Sequence, residues 1–438
     1  MKNIGSASLF FIFICFVMSS PAAQQPPNPS SPDGNASPAN QLQAYLPLPK
    51  IYLSDARVTL FPRQGAQNII GFPDGGVFVA KRHPSFRLIV PVCDRTVLFE
   101  GPDIRHLRST RTVLTHGLPG SVDNGYAGIH SGYIHEGLAE PAPIIGFYHA
   151  EDHEGMPSFP NGVPGYYGRV CGAVSYDQGL TWRKLGPLLQ SFKPKEFKFY
   201  DPHADRGLGM CGAVKDKTGR YVYLYYTENS RVDETDAFRG VAICMARAAL
   251  HDMEEWRMIV PRPDLFKKYY KGDFTQPGIG GYDTPVITTH NINAFGHAEA
   301  SVPQPSYAQE FGLYVMVFNI GWWDDPQTDK SGIYLSFSED GIAWGIPAQL
   351  IKRPGGGPVY LSYATIIWDE SDGSADLKKG WLVYSYHPNN VDLRYMAGQR
   401  IALSRHQVVE PASRDFVEYH VIDPNIARFD PPPRPRHR

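Results

Sequence analysis

The stretch Ser175-Tyr176-Asp177-Gln178-Gly179-Leu180-Thr181-Trp182 constrains this chain more than any other, because an echo of it stands at Ser338-Glu339-Asp340-Gly341-Ile342-Ala343-Trp344. In both copies an apolar run ends in Ser, an Asp and a Gly turn the chain, and a Trp follows three residues after the Gly. The pattern reads as a hairpin corner. Asp caps backbone amides of the turn, Gly takes a left-handed conformation, and Trp returns on the next strand to cover the corner. A degraded third copy is Asp252-Met253-Glu254-Glu255-Trp256, behind the apolar run Val241 to Met245. The tryptophans at 182, 256 and 344 are separated by steps of 74 and 88 residues, a spacing that suits a repeated four-stranded unit.

The first copy matches the pattern Ser-x-Asp-x-Gly-x-x-Trp and so resembles the Asp-box of sialidases and other β-propellers. The second, one residue shorter, is similar to the variant found in five-bladed propeller glycosidases of the arabinanase, xylosidase and fructosidase type. That resemblance implies an all-β, five-bladed propeller and an enzyme acting on carbohydrate. In such folds the boxes hold blade corners and leave the chemistry to other residues.

The rest of the chain can be cut in the same way. Second strands of five units read as continuous apolar or aromatic runs: Val77 to Ala80, Ile144 to Tyr148, Tyr221 to Tyr226, Leu313 to Phe318 and Trp381 to Tyr386. Third strands follow at Val170 to Val174, Val241 to Met245, Gly332 to Ser336 and Arg400 to Leu403. Five units over residues 45 to 438 give about eighty residues each, a blade plus its loops. A six-bladed alternative requires a further unit within residues 85 to 125.

Ahead of these units, residues 1 to 23 read as a secretory signal: Lys2, an apolar run from Leu9 to Met18, then small residues up to Ala23. The run is too short to span a bilayer, so the expectation is a secreted or periplasmic protein with no membrane span. Residues 24 to 44 are rich in Pro, Ser, Asn and Gln and read as a disordered leader, which leaves 45 to 438 as a single propeller domain. A net charge of −2 and the lack of a basic block before the Arg434–Arg438 tail argue against nucleic acid as a partner. Cys93, Cys171, Cys211 and Cys244 sit in apolar, strand-like runs, where buried thiols and disulfides both fit.

In a propeller the start of each first strand and the loop after each second strand share one face. The carboxyl groups of that face are the candidates for hydrolysis, which needs one protonated acid and one ionised partner. By position these are Asp123, Asp205 and Glu299, with Glu228 in reserve. Candidate substrate contacts around the same mouth are His130, His149, His203, Glu228, His297, Trp322, Trp323, Tyr363 and His387. The loops assigned to the mouth include Lys81-Arg82-His83 and His149-Ala150-Glu151-Asp152-His153. No residues have zinc-site spacing and no cofactor is expected, although the resemblance allows a channel metal such as calcium.

The leading reading is a secreted glycoside hydrolase with a carbohydrate substrate. A sialidase needs three converging arginines, for which Arg82, Arg206 and Arg231 are the available set. A polysaccharide lyase, using Tyr and His, and a non-catalytic carbohydrate-binding propeller are the remaining alternatives.

Overall fold

A computed structural model of the chain describes residues 48–62, 72–134, 142–158, 164–195, 206–230, 241–252, 264–288, 299–321, 330–354, 359–371, 373–389, 393–406 and 416–419. Two strands, β1 (Lys50–Ser54) and β2 (Val58–Phe61), precede the first blade. Blade 1 comprises β3 (Phe78–Lys81), β4 (Phe86–Val92), β5 (Arg95–Gly101) and β6 (Arg108–Thr115). Blade 2 comprises β7 (Tyr126–Ile134), β8 (Ile144–Asp152), β9 (Tyr167–Ser175) and β10 (Arg183–Leu189). In blade 3, β11 (Leu208–Lys215), β12 (Tyr221–Glu228) and β13 (Ala242–Ala249) are extended by the hairpin β14 (Lys267–Tyr270) and β15 (Asp273–Pro277). Blade 4 comprises β16 (Ala300–Ala308), β17 (Leu313–Ile320), β18 (Gly332–Ser338) and β19 (Ala348–Lys352).

Blade 5 is built from both ends of the chain. Its strands β20 (Tyr360–Trp368), β21 (Leu377–His387) and β22 (Tyr395–Ser404) pair in sequence, and β1 then pairs with β22 so that Ile51 faces Leu403. The strand β23 (Phe416–Tyr419) lies outside β1, and β2 also pairs with β22. Pairing of an early strand with a late one closes the ring.

The assembly is a five-bladed propeller. Apolar side chains fill the gap between every pair of neighbouring blades. Phe61, Phe72 and Phe99 pack between blades 5 and 1, Ile89, Leu98 and Tyr148 between 1 and 2, and Phe147, Leu224 and Phe266 between 2 and 3. Met245, Tyr314 and Phe318 fill the next gap, and Val317, Leu335 and Tyr384 the last. Met210, Val302, Tyr360 and Tyr363 form a small cluster among the innermost strands. Strands covered on both faces carry no alternation, so the second strands read as unbroken apolar runs.

The Ser175–Trp182 and Ser338–Trp344 turns are held by local hydrogen bonds. Ser175 Oγ accepts the Gly179 amide at 2.9 Å and Asp177 Oδ1 accepts the Thr181 amide at 2.9 Å. Trp182 Nε1 donates to the Gly179 carbonyl at 3.1 Å, and Gly179 sits at φ 85°, where a side chain is disfavoured. In the second turn Ser338 Oγ accepts the Gly341 amide, and Asp340 Oδ1 accepts the amides of Ile342 and Ala343. Residues 253–256 of the third, degraded copy lie outside the described residues.

Two expectations are corrected. Val77 to Ala80 belongs to the innermost strand of blade 1, and the second strand is β4; the Lys81-Arg82-His83 segment therefore emerges on the face opposite the mouth. Residues 86–115 supply the rest of blade 1 and leave no room for a sixth blade. Blades 2 to 5 follow the expected strand order.

Candidate active site

The mouth is formed where the inner strands begin and the second strands end. Blade 1 contributes Asp74, which precedes β3 and is fixed by its amide donating to the Pro91 carbonyl at 3.0 Å. Gly75 follows because nothing larger fits: a Cβ there would lie 2.3 Å from His130 Nε2. Arg394, just before β22, donates to Asp74 Oδ1 at 2.9 Å while its guanidinium lies over the Tyr360 ring, 4.5 Å from the centroid. Tyr363 reaches the same carboxyl group. From blade 2, the Tyr126 hydroxyl donates to the Asp74 carbonyl at 3.0 Å and lies 3.3 Å from His130 Nε2.

Blade 2 also supplies the second carboxyl group. Glu151, near the end of β8, is gripped by two imidazoles: His149 Nε2 lies 3.1 Å from Oε1 and His153 Nε2 2.8 Å from Oε2. The His149 ring packs against Tyr126 at 5.5 Å, and the His153 ring stacks on Tyr166 at 6.2 Å. Tyr126 thus joins the surroundings of Asp74 to those of Glu151.

These environments push the two acids apart. Burial raises the Asp74 carboxyl above its ordinary range; Arg394 opposes the rise and the nearby charge of Glu151 adds to it. Burial would raise Glu151 as well, but the two imidazole hydrogen bonds outweigh it and bring it down to about 2. The arrangement holds one carboxyl toward its protonated form and the other as a carboxylate. His130 is fully buried beside His149, and burial together with that neighbour keeps it well below its usual range, hence neutral.

Of the residues selected from the sequence, Glu299 lies at the entry to β16, 3.6 Å from the Arg206 guanidinium. Asp123 is buried, and its carboxylate is taken up by Lys184 of the outer strand β10 and by the Tyr148 hydroxyl. Glu228 is fully buried, accepting from Ser191 Oγ at 3.2 Å and the Ser230 amide at 2.9 Å. Burial, then the neighbouring Asp283, push its carboxyl well above the ordinary range; Lys268, paired with Asp283 at 2.8 Å, opposes. Tyr363 and His130 are buried near Asp74, His149 grips Glu151, and His387 is half-buried, its Nδ1 accepting the Asn389 amide. Asp205, His203, His297, Trp322 and Trp323 lie outside the described residues.

Asp74, Glu151, His153 and Arg394 join the site only in the tertiary structure. Asp74 stands in Pro73-Asp74-Gly75-Gly76, which has the composition of a turn. The longer apolar run from Leu88 to Val92 was the available signal that β4, and so not Val77 to Ala80, is the second strand.

The three arginines considered for a sialidase do not gather at the mouth. Arg82 donates to the Trp368 carbonyl on the far face, Arg206 pairs with Glu299, and Arg231 lies outside the described residues. Among the described residues no three His, Cys, Asp or Glu side chains come together as a metal site, and no helix is long and apolar enough to cross a membrane. Among the described residues, Cys93, Cys171, Cys211 and Cys244 are not joined in disulfides.

No family model and no curated protein matches the chain. Among solved structures it is similar to one described as a glycoside hydrolase, at 15% identity with a TM-score of 0.46, covering 82% of this chain and 93% of that one. It is also similar to an α-L-arabinofuranosidase from Lactobacillus brevis, at 11% identity with a TM-score of 0.47, covering 76% and 93%. A third similar structure is an N-acetylgalactosamine deacetylase from F. plautii in complex with blood group B trisaccharide, at 12% identity with a TM-score of 0.44, covering 76% and 90%.

Proposed function

We propose that the protein is a glycoside hydrolase that cleaves an oligo- or polysaccharide at the mouth of the propeller, and that it acts outside the cytoplasm. The observation that carries this reading is the Asp74–Glu151 pair: two carboxyl groups from neighbouring blades, joined through Tyr126 and held in opposite environments. Glycoside hydrolysis needs that asymmetry. Asp74 is the proton donor to the leaving oxygen, and Glu151 is the base that activates water or the nucleophile that attacks the sugar. Arg394 and Tyr363 orient Asp74; His149 and His153 orient Glu151. Glu299, paired with Arg206, is a third carboxylate at the same mouth and the alternative partner for Asp74. The apolar segment Leu9 to Met18, with small residues after it, supports export.

The test is release of reducing sugar from a glycan panel by the wild type and by Glu151→Gln and Asp74→Asn, with thermal melts confirming the fold. Loss of about a hundredfold or more in either variant is expected for removal of a catalytic acid or base. Full turnover by Glu151→Gln and Asp74→Asn removes the pair from the mechanism, and glycan binding without cleavage by the wild type removes the enzyme reading altogether.

A further inference from the structure

The far face of blade 1, away from the mouth, carries a feature that hydrolysis does not use. Lys81, Arg87, Glu100 and Arg108 stand opposite one another in the four strands of the blade and so form a single row across the sheet. The row holds three cations and one anion. Glu100 accepts from Arg87 Nε at 3.1 Å and from Ser85 Oγ at 2.8 Å, leaving Arg108 exposed at the blade edge.

The edge strand strengthens the positive end. Arg108 pairs with Glu100 and Arg111 with Leu98, two positions further along β5, so the bulge at Thr110 returns Arg111 to the face that carries Arg108. The two guanidinium-bearing positions are then about 7 Å apart along the strand. Arg105 is exposed just ahead of β6, beside His106, whose imidazole is paired with Asp103 at 2.8 Å, and no acidic residue occurs between Ile104 and Thr115.

Concave surface flanks the row at both ends. A cleft of about 440 Å³ lies beside Lys81, between the ends of blades 1 and 2, and reaches Gln178 of the Ser175–Trp182 turn. Another of about 550 Å³ lies beside Arg108, lined by Ser85, Glu100 and His106. The chain as a whole has a net charge of −2, so attraction for an anion on this face is local to the row.

We propose that this face of blade 1 is a docking surface for an acidic polysaccharide, with Lys81, Arg108 and Arg111 pairing with carboxylate or sulfate groups of the chain, while Arg87 stays paired with Glu100. The clefts at either end, with serine, histidine and glutamine at their walls, suit sugar rings and hydroxyls. A polymer held here stays near the enzyme while another stretch enters the mouth, a gain in effective concentration. The choice of a polysaccharide over other polyanions rests on the hydrolase reading. The row itself offers no aromatic platform for nucleic-acid bases.

Affinity electrophoresis of the full chain through gels containing polygalacturonate, neutral dextran or duplex DNA tests it. Wild type should be retarded by polygalacturonate alone, and retardation should fall between about 0.05 and about 0.3 M salt as charges are screened. Arg108→Gln/Arg111→Gln should weaken binding about tenfold, with Arg108→Lys/Arg111→Lys restoring most of it and hydrolysis of short substrates unchanged. Equal retardation of wild type and the glutamine variant overturns the proposal, as does retardation by DNA equal to that by polygalacturonate. Because the readout is binding, Glu151→Gln should be retarded like wild type, so failure of the hydrolase reading and failure of the docking surface are told apart.

Discussion

Arg394 and Asp74, 320 residues apart in the chain, meet at 2.9 Å where blade 5 closes against blade 1. The contact ties the ring closure to the mouth, because the same carboxyl group is the proposed proton donor. Arg394 lowers the Asp74 carboxyl against a larger rise from burial. In Arg394→Met the opposing influence is gone and Asp74 holds its proton to higher pH. The alkaline limb of kcat/KM should move upward, with an overall loss of about tenfold from misorientation. An unmoved limb separates Arg394 from the acid.

His153→Ala leaves Glu151 with His149 alone. One of the two hydrogen bonds that bring the carboxyl down to about 2 disappears, so its affinity for a proton rises. The acid limb of the rate profile should shift to higher pH, because the base is lost sooner on acidification. His153→Gln, which can still donate, should recover part of the shift. A pH–rate profile of the three proteins is the measurement.

Glu151 also has a stability signature. Its folded value lies below the ordinary carboxylate value of 4.5, so its contribution is complete above that value and is lost as pH falls from there toward 2. Urea melts between neutral pH and pH 3 should show a smaller acid-side loss for Glu151→Gln than for wild type.

Glu228 has the opposite sign. Its folded carboxyl is raised, so the folded state keeps a proton that the unfolded chain releases, and stability declines as pH rises past the ordinary carboxylate value. Glu228→Gln, neutral at every pH, should flatten that decline. Lys268→Met strands Asp283 in the core, since both members of that pair are fully buried. A loss of about 3–5 kcal/mol in chemical denaturation is expected for a broken buried ion pair.

The Ser175–Trp182 turn of blade 2 is tight enough to test by adding one methyl group. A Cβ on Gly146 would lie 2.6 Å from the Trp182 ring, so Gly146→Ala should push the indole off the corner and cost about 1–3 kcal/mol. Gly146→Ala/Trp182→Leu should recover part of that loss. Additive losses in the double variant remove the contact as the cause.

Much of the architecture was legible locally. The Ser-Asp-Gly-Trp turns and the apolar runs from Ile144, Tyr221, Leu313 and Trp381 marked corners and second strands in blades 2 to 5, because a strand covered on both faces is apolar throughout. Blade 1 was read one strand out of phase. Its inner strand is short, and the strand that completes the circle, β1, pairs with β22 some 350 residues later, which no local pattern reports.

The chemistry of the mouth was less legible for a related reason. Glu151 and His153 sit in the segment His149 to His153, whose charge and imidazoles can be read from the sequence, and the sequence alone determined that this segment belongs to the end of a second strand. Only the tertiary structure decided that Asp74 faces it, that Arg394 and Tyr363 surround Asp74, and that the two acids lie in opposite environments. Strand periodicity is a property of neighbours along the chain, whereas a carboxyl group's proton affinity depends on burial and charges brought to it from other blades.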